Sequence, residues 1–118
     1  MAVILKANKI TDPNDLEKAF AIRYEVFVDE QNCPLDLEVE GNELSTHFLA
    51  TIEGEPAGAA RWRKTDKGIK LERFAVLQKY RGLGVGQALV NAVLEDLPKE
   101  NTYYIYTRKA MLQGYMTN

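Results

Sequence analysis

At 118 residues the chain is long enough for one domain. Its apolar content of 46% and charged content of 27% are ordinary for a soluble globular protein, and no apolar run reaches the ~20 residues of a membrane span. The net charge, 15 − 17 = −2, excludes a global bias toward nucleic acid. The single cysteine, Cys33, has no internal disulfide partner, which fits a reducing cytoplasm.

The opening MAVILKANK has neither a basic n-region nor a small-residue cleavage site, so Val3 to Lys9 reads as a strand rather than a signal peptide. Thr11-Asp12-Pro13 is a helix start: a capping side chain, then proline at the first helical position. Asp15 and Glu17 fall in the first turn, where the helix dipole favours acids. Leu16, Ala19, Phe20, Val26 and Phe27 give the apolar face, which Arg23 interrupts, either as an edge residue or as a partner for a carboxylate beneath it. The helix gives way at Gln31 to Pro34. The polar connection to Ser45 is long for a compact domain and predicts a short helix or a functional segment within it.

Thr46 to Glu53 alternates, with Phe48, Ala50 and Ile52 on one face. Gly54-Glu55-Pro56 is read as the tight turn of a hairpin whose return strand runs from Ala57 to Lys64. The small residues Gly58, Ala59 and Ala60 predict close backbone packing. Asp66-Lys67-Gly68 turns into a strand from Ile69 to Val76. Apolar residues then recur at Val85, Ala88, Leu89, Ala92 and Val93, the spacing of a helix face, until Pro98 stops it. Thr102 to Thr107 is a tyrosine-rich strand candidate. The predicted order β-α-β-β-β-α-β describes one α/β domain with a mixed sheet flanked by helices.

The stretch with chemistry lies between strand and helix: Arg81-Gly82-Leu83-Gly84-Val85-Gly86. The first amides of a helix lack partners within it and the dipole makes that end positive, so a strand–glycine turn–helix can hold a phosphate. Arg81 adds a charge whose donors can fork onto phosphate oxygens. No Gly-Lys-Ser/Thr follows, and the G-x-G-x-x-G spacing is not met. The pattern that fits is Arg/Gln-x-x-Gly-x-Gly/Ala, through Arg81, Gly84 and Gly86. Residues 61–81 carry eight basic side chains against Asp66 and Glu72, which suits a polyanionic ligand. Residues 29–43 carry six acidic side chains and no basic one, which could attract a cationic amine.

That turn resembles the acetyl-coenzyme A signature of the GNAT (GCN5-related) N-acetyltransferases. Ile22-Arg23-Tyr24-Glu25-Val26-Phe27-Val28-Asp29-Glu30-Gln31-Asn32-Cys33-Pro34 is similar to the opening motif of a bacterial subgroup, the ElaA/YjcF-like acetyltransferases, and His47 matches a downstream histidine. The resemblance covers roughly Leu16 to Leu97. It implies the GNAT (acyl-CoA N-acyltransferase) fold and direct transfer of an acetyl group from acetyl-coenzyme A to an amine of a small molecule or protein. It further implies pyrophosphate binding by Arg81, Gly82, Leu83, Gly84, Val85 and Gly86, and pantetheine along Phe74, Ala75 and Val76, where that strand splays from the next. An alternative is a catalytically idle coenzyme A-binding or dimerisation module, which the glycine turn would serve equally.

Glu72 is the candidate base, against a reading as a surface glutamate paired with a nearby lysine or arginine. His47 reads as a packed or surface histidine, and Cys33 as structural. Tyr115, one residue off the family's spacing from Ala110, is the candidate for the tyrosine acid that the resemblance implies. No metal, membrane or nucleic acid is implied. The C-terminal part of the family fold is missing, so the chain reads either as truncated or as a homodimer in which a partner copy completes the sheet through Thr102 to Asn118.

Overall fold

The strand signals resolve into a single five-stranded sheet in the order β1-β2-β3-β4-β5. In this structure, a computed structural model that describes residues 4–66, 68–97 and 104–106, β1 is Leu5–Lys9, β2 Thr46–Ile52, β3 Glu55–Thr65, β4 Gly68–Val76 and β5 Tyr104–Tyr106. The first four strands are antiparallel, and β4 to β5 is parallel. Helix α1 (Pro13–Arg23) covers one face and α3 (Val85–Asp96) the other. The expected mixed sheet and element order are therefore observed. The long connector contains α2 (Leu35–Val39) and a 3-10 turn at Asn42–Leu44.

Helix α1 starts where the capping signal places it. The Asp12 carboxylate accepts the Asp15 N–H at 2.9 Å, and Pro13 occupies the first turn. After Arg23 the chain does not end its helix but widens into a π segment, Tyr24–Glu30. Buried residues recur there four apart, Ala19-Arg23-Phe27 and Ile22-Val26, so the wider winding keeps one stripe on the sheet for longer than a straight α-helix would. Arg23 lies within that stripe, fully buried.

The hairpin turn differs from the sequence reading. Its two loop residues are Glu53 and Gly54, with φ of 51° and 82°, and the strand resumes at Glu55. Two successive positive φ values match the twist of the flanking strands, which a turn through Pro56 could not supply because its ring fixes φ near −65°. Pro56 is instead absorbed beside a bulge: Ala50 faces Gly58 while Thr51 faces Pro56, so Ala57 is an extra residue in β3.

A second bulge lies in β4, where Ala75 faces Ala59 but Glu72 faces Arg61. Three steps in β4 oppose two in β3, and Arg73 takes up the difference with φ of 59°. Leu71, Phe74 and Val76 consequently all join the α3-side core, whereas strict alternation would have put Phe74 on the face of Glu72.

That α3-side core contains Phe48, Ala50, Ile52, Leu71, Phe74, Val85, Leu89 and Val93. Gly58 lets the helix approach: a Cβ there would stand 2.8 Å from Val85 Cγ1 and 2.9 Å from Ala75 O. The far end of α3 is pinned by Asp96, which accepts from Trp62 Nε1 at 3.0 Å and from Lys9 Nζ at 3.4 Å. The α1-side core is smaller: Ala19, Ile22, Val26, Phe27, Leu49, Ala59 and Ala75.

Candidate functional site

Strand β4 ends at Val76, a 3-10 turn covers Gln78–Tyr80, and the chain reaches α3 through Arg81 to Gly84. Gly82 and Gly84 have φ of 83° and 90°, conformations that a side chain strains and glycine does not. Gly84 is the N-cap of α3, and its carbonyl accepts the first bond of the helix, from Ala88 N–H at 3.0 Å. The amides before Ala88 thus have no place in the helical ladder and point forward into the turn, at the positive end of the dipole. Gly82, Leu83 and Gly84 are exposed, and no atom lies within 4 Å of where a Gly82 Cβ would be. A diphosphate fits this turn: the donors face outward, the glycines leave room, and Val85 and Gly86 anchor the turn from beneath as buried residues.

Arg81 is less open than its position in the motif implies. Its Nε donates to Val76 O at 2.9 Å and its Nη2 to both oxygens of Glu30, at 3.0 and 3.1 Å. Val76, one of the residues the resemblance places along the pantetheine, thus has its carbonyl already accepting from Arg81. Phe74, Ala75 and Val76 are buried on β4, and among the described residues β5 pairs with that strand from Ile69 opposite Tyr104 to Leu71 opposite Tyr106.

Glu72 is 2% exposed and sits among cations. Its Oε2 accepts from Arg61 Nε at 2.9 Å and Arg63 Nε at 2.7 Å, with Arg61 Nη2 at 2.6 Å; Lys70 Nζ stands 3.5 Å from Oε1. Burial pushes the carboxyl up, but the Arg61 charge and the hydrogen bonds from Arg63 and Arg61 outweigh it and leave the carboxyl below its ordinary value. A base active near neutrality needs the opposite displacement. The geometry gives Glu72 the second of its two readings, an anion paired with arginines, except that it is buried rather than superficial.

The polar row continues away from Glu72. His47, Arg61 and Glu72 are direct cross-strand neighbours on β2, β3 and β4. Asn42 Oδ1 accepts from Arg61 Nη1 and from Arg23 Nη2, both at 2.8 Å. His47 faces Asn42 O through Nε2 at 2.8 Å and Arg23 Nη1 through Nδ1 at 3.3 Å. An arginine can only donate, so these partners require a neutral ring with the proton on Nε2. Among the described residues no buried side-chain nitrogen or oxygen lacks a partner. Sequence reasoning missed Asn42 and Glu30. Glu30 had a signal in the acidic tail of the opening motif; Asn42 had none, since nothing local distinguishes an asparagine in a polar connector.

With the turn and the bulged β4 in place, comparison with known proteins is decisive. A model of the acetyltransferase (GNAT) family matches residues 14–113. The chain belongs to the GNAT family. It is an acyltransferase whose cosubstrate is acetyl-coenzyme A. YjcF of Bacillus subtilis, described as an uncharacterized N-acetyltransferase, is 40% identical over 90 residues, 75% of this chain and 64% of that protein. The crystal structure of Escherichia coli ElaA superposes with a TM-score of 0.64 at 28% identity, over 80% of this chain and 68% of that one. An aminoglycoside N-acetyltransferase, AAC(6')-Iy in complex with CoA, shares the fold at 17% identity, with a TM-score of 0.69 over 97% of this chain and 84% of that one. The chain thus spans about two thirds of the length of YjcF and ElaA. Both names match the subgroup that the opening motif resembles. Tyr115, and most of the segment Thr102 to Asn118, lie outside the described residues. No helix of the described residues is long and apolar enough to cross a membrane.

Proposed function

We propose that this GNAT domain transfers the acetyl group of acetyl-coenzyme A to an amine of a small molecule or protein by direct attack. The observation that carries the proposal is the pair of left-handed glycines, Gly82 and Gly84, which turn unpaired amides outward at the head of α3. In this reading Arg81, Gly82, Leu83, Gly84, Val85 and Gly86 hold the pyrophosphate, while Phe74, Ala75 and Val76 flank the pantetheine. The cosubstrate supplies an activated acyl group and a thiolate leaving group. Glu72 keeps Arg61 and Arg63 in place behind the strand and does not take the proton of the amine, and Tyr115 is retained as the candidate acid. Cytoplasmic location and homodimerisation through the β5 edge are proposed alongside; light scattering that reports a monomer at micromolar concentration would refute the latter.

The test follows thiol release from acetyl-coenzyme A across a panel of primary amines. An aminoglycoside is included because a structural neighbour acts on that class. We expect amine-dependent release, and about tenfold weaker cosubstrate binding in Gly84→Val, whose φ of 90° a side chain strains and whose Cβ takes up room left for the diphosphate. Unchanged binding in folded Gly84→Val would sink the site. Binding without amine-dependent release from any acceptor would favour the idle coenzyme A-binding module.

A further inference from the structure

We infer that Glu30 is a positioning residue for the pyrophosphate, acting through Arg81. The inference rests on the reading of residues 81–86 as the pyrophosphate turn, and assigns a role to a residue on a different element, the end of the π segment.

The geometry is a bracket. The two donors along one side of the Arg81 guanidinium are committed: Nε to Val76 O, and Nη2 to Glu30. One contact ties the side chain to the end of β4, and the other ties it to the π segment. Val26 and Phe27 of that segment pack with Ala75 of β4, while a cleft of about 530 Å³ lined by Glu25, Leu77, Gln78 and Lys79 opens between the π segment and the 3-10 turn that follows β4. The π segment is a firm anchor for its half of the bracket. Val26 and Phe27 are fully buried, Cys33 N–H donates to Phe27 O at 2.8 Å, and Asn32 N–H to Val28 O at 3.1 Å. Glu30 therefore stands on a fixed base while Arg81 leads directly into Gly82 and Gly84.

A planar guanidinium held through both donors of one edge has less freedom to swing, and the backbone that carries it is steadied with it. The turn whose amides must meet a diphosphate is thus oriented before the ligand arrives, which lowers the cost of binding. Glu30 also stands close enough to oppose an incoming polyanion by its charge. Its two oxygens, however, lie on the nitrogen already turned toward the π segment, so the orienting effect dominates. The pair is part-exposed, with side-chain accessibilities of 40% and 30%, so the effect is modest.

Calorimetry on the wild type, Glu30→Gln, Arg81→Ala and the double variant distinguishes the roles, with two probes: coenzyme A, and pantetheine, which lacks the pyrophosphate. We expect Glu30→Gln to weaken coenzyme A about fivefold and to leave pantetheine unchanged. The double variant should bind coenzyme A no worse than Arg81→Ala alone, since the acid acts only through the base. Equal or tighter coenzyme A binding by Glu30→Gln, with Arg81→Ala weakened, overturns the inference while leaving the pyrophosphate site standing. So do additive losses, or an equal loss for pantetheine, which would mark general loosening. Wild-type coenzyme A affinity in all three variants overturns the site and the inference together.

Discussion

The two faces of the sheet are built on different physics. The α3 face is apolar except at its far end, where Asp96 meets Trp62 and Lys9, and Gly58 brings the helix down onto Phe48, Leu71 and Phe74. The α1 face has a smaller apolar cluster, then a buried row of charge and amide running from His47 through Arg61 to Glu72, with Arg23 and Asn42 closing it. The first face stabilises by removing area from water, about 1.5–3 kcal/mol per large side chain. The second recovers by pairing roughly what it loses by desolvating charge, so it contributes specificity of arrangement more than stability. It fixes where the connector 41–45 and strand β4 sit relative to each other.

The sharpest way to break this comparison is to remove one charge from the row. Glu72→Leu leaves Arg61, which is 1% exposed, buried without its anion. We expect a loss of about 3–5 kcal/mol in urea unfolding, and recovery of most of it when Arg61→Met is added. A double variant as unstable as the single would mean that the row itself contributes net stability. On the other face, Leu89→Ala should cost about 2–5 kcal/mol with no second-site rescue. Gly58→Val should cost about 1–3 kcal/mol by overpacking against Val85 and Leu89, and Val85→Ala should relieve part of that.

These two faces also differed in how far the sequence could be read. Phe48, Ala50 and Ile52 alternate, and Val85, Leu89 and Val93 follow a helical period, so the α3 face was legible from spacing. The glycine turn was legible because a phosphate site needs a local run of residues. The charged row was not. Arg61 and Glu72 are eleven positions apart, and only the hairpin register puts them opposite each other; Arg23 and Asn42 come from elements with no fixed offset. The Arg73 bulge was hidden too, because a non-glycine residue at φ of 59° has no sequence signal. The turn at Glu53-Gly54 was misplaced by one residue because proline was given more weight than the pair of positive φ values.

Acidity probes the same row without mutation. The folded Glu72 carboxyl lies below its ordinary 4.5, so the folded state binds its proton less readily than the unfolded chain does. Its contribution is fully present above that value and falls away as pH drops through the folded one. Wild type should therefore lose urea stability more steeply below about pH 4.5 than Glu72→Gln does, with parallel curves above it. Equal slopes across the acid range would mean that Glu72 is not held as an anion.

The smallest effect tests whether the faces are independent at all. The Glu53-Gly54 turn joins β2 to β3 and so feeds both faces equally. Glutamate is a poor residue at φ of 51°, where asparagine is favoured. Among the described residues the side-chain bond at stake is Ile4 N–H to Glu53 Oε1, long at 3.4 Å and exposed. Glu53→Asn should therefore stabilise the fold by about 0.5 kcal/mol. The gain should be the same in wild type, in Leu89→Ala and in Glu72→Leu, because the turn shares no partner with either site and distant changes add. A gain that vanishes in Glu72→Leu alone would show that the hairpin register is set by the charged row rather than by the apolar face. The row would then be what aligns β2, β3 and β4, and the division of labour argued above would have to be reversed.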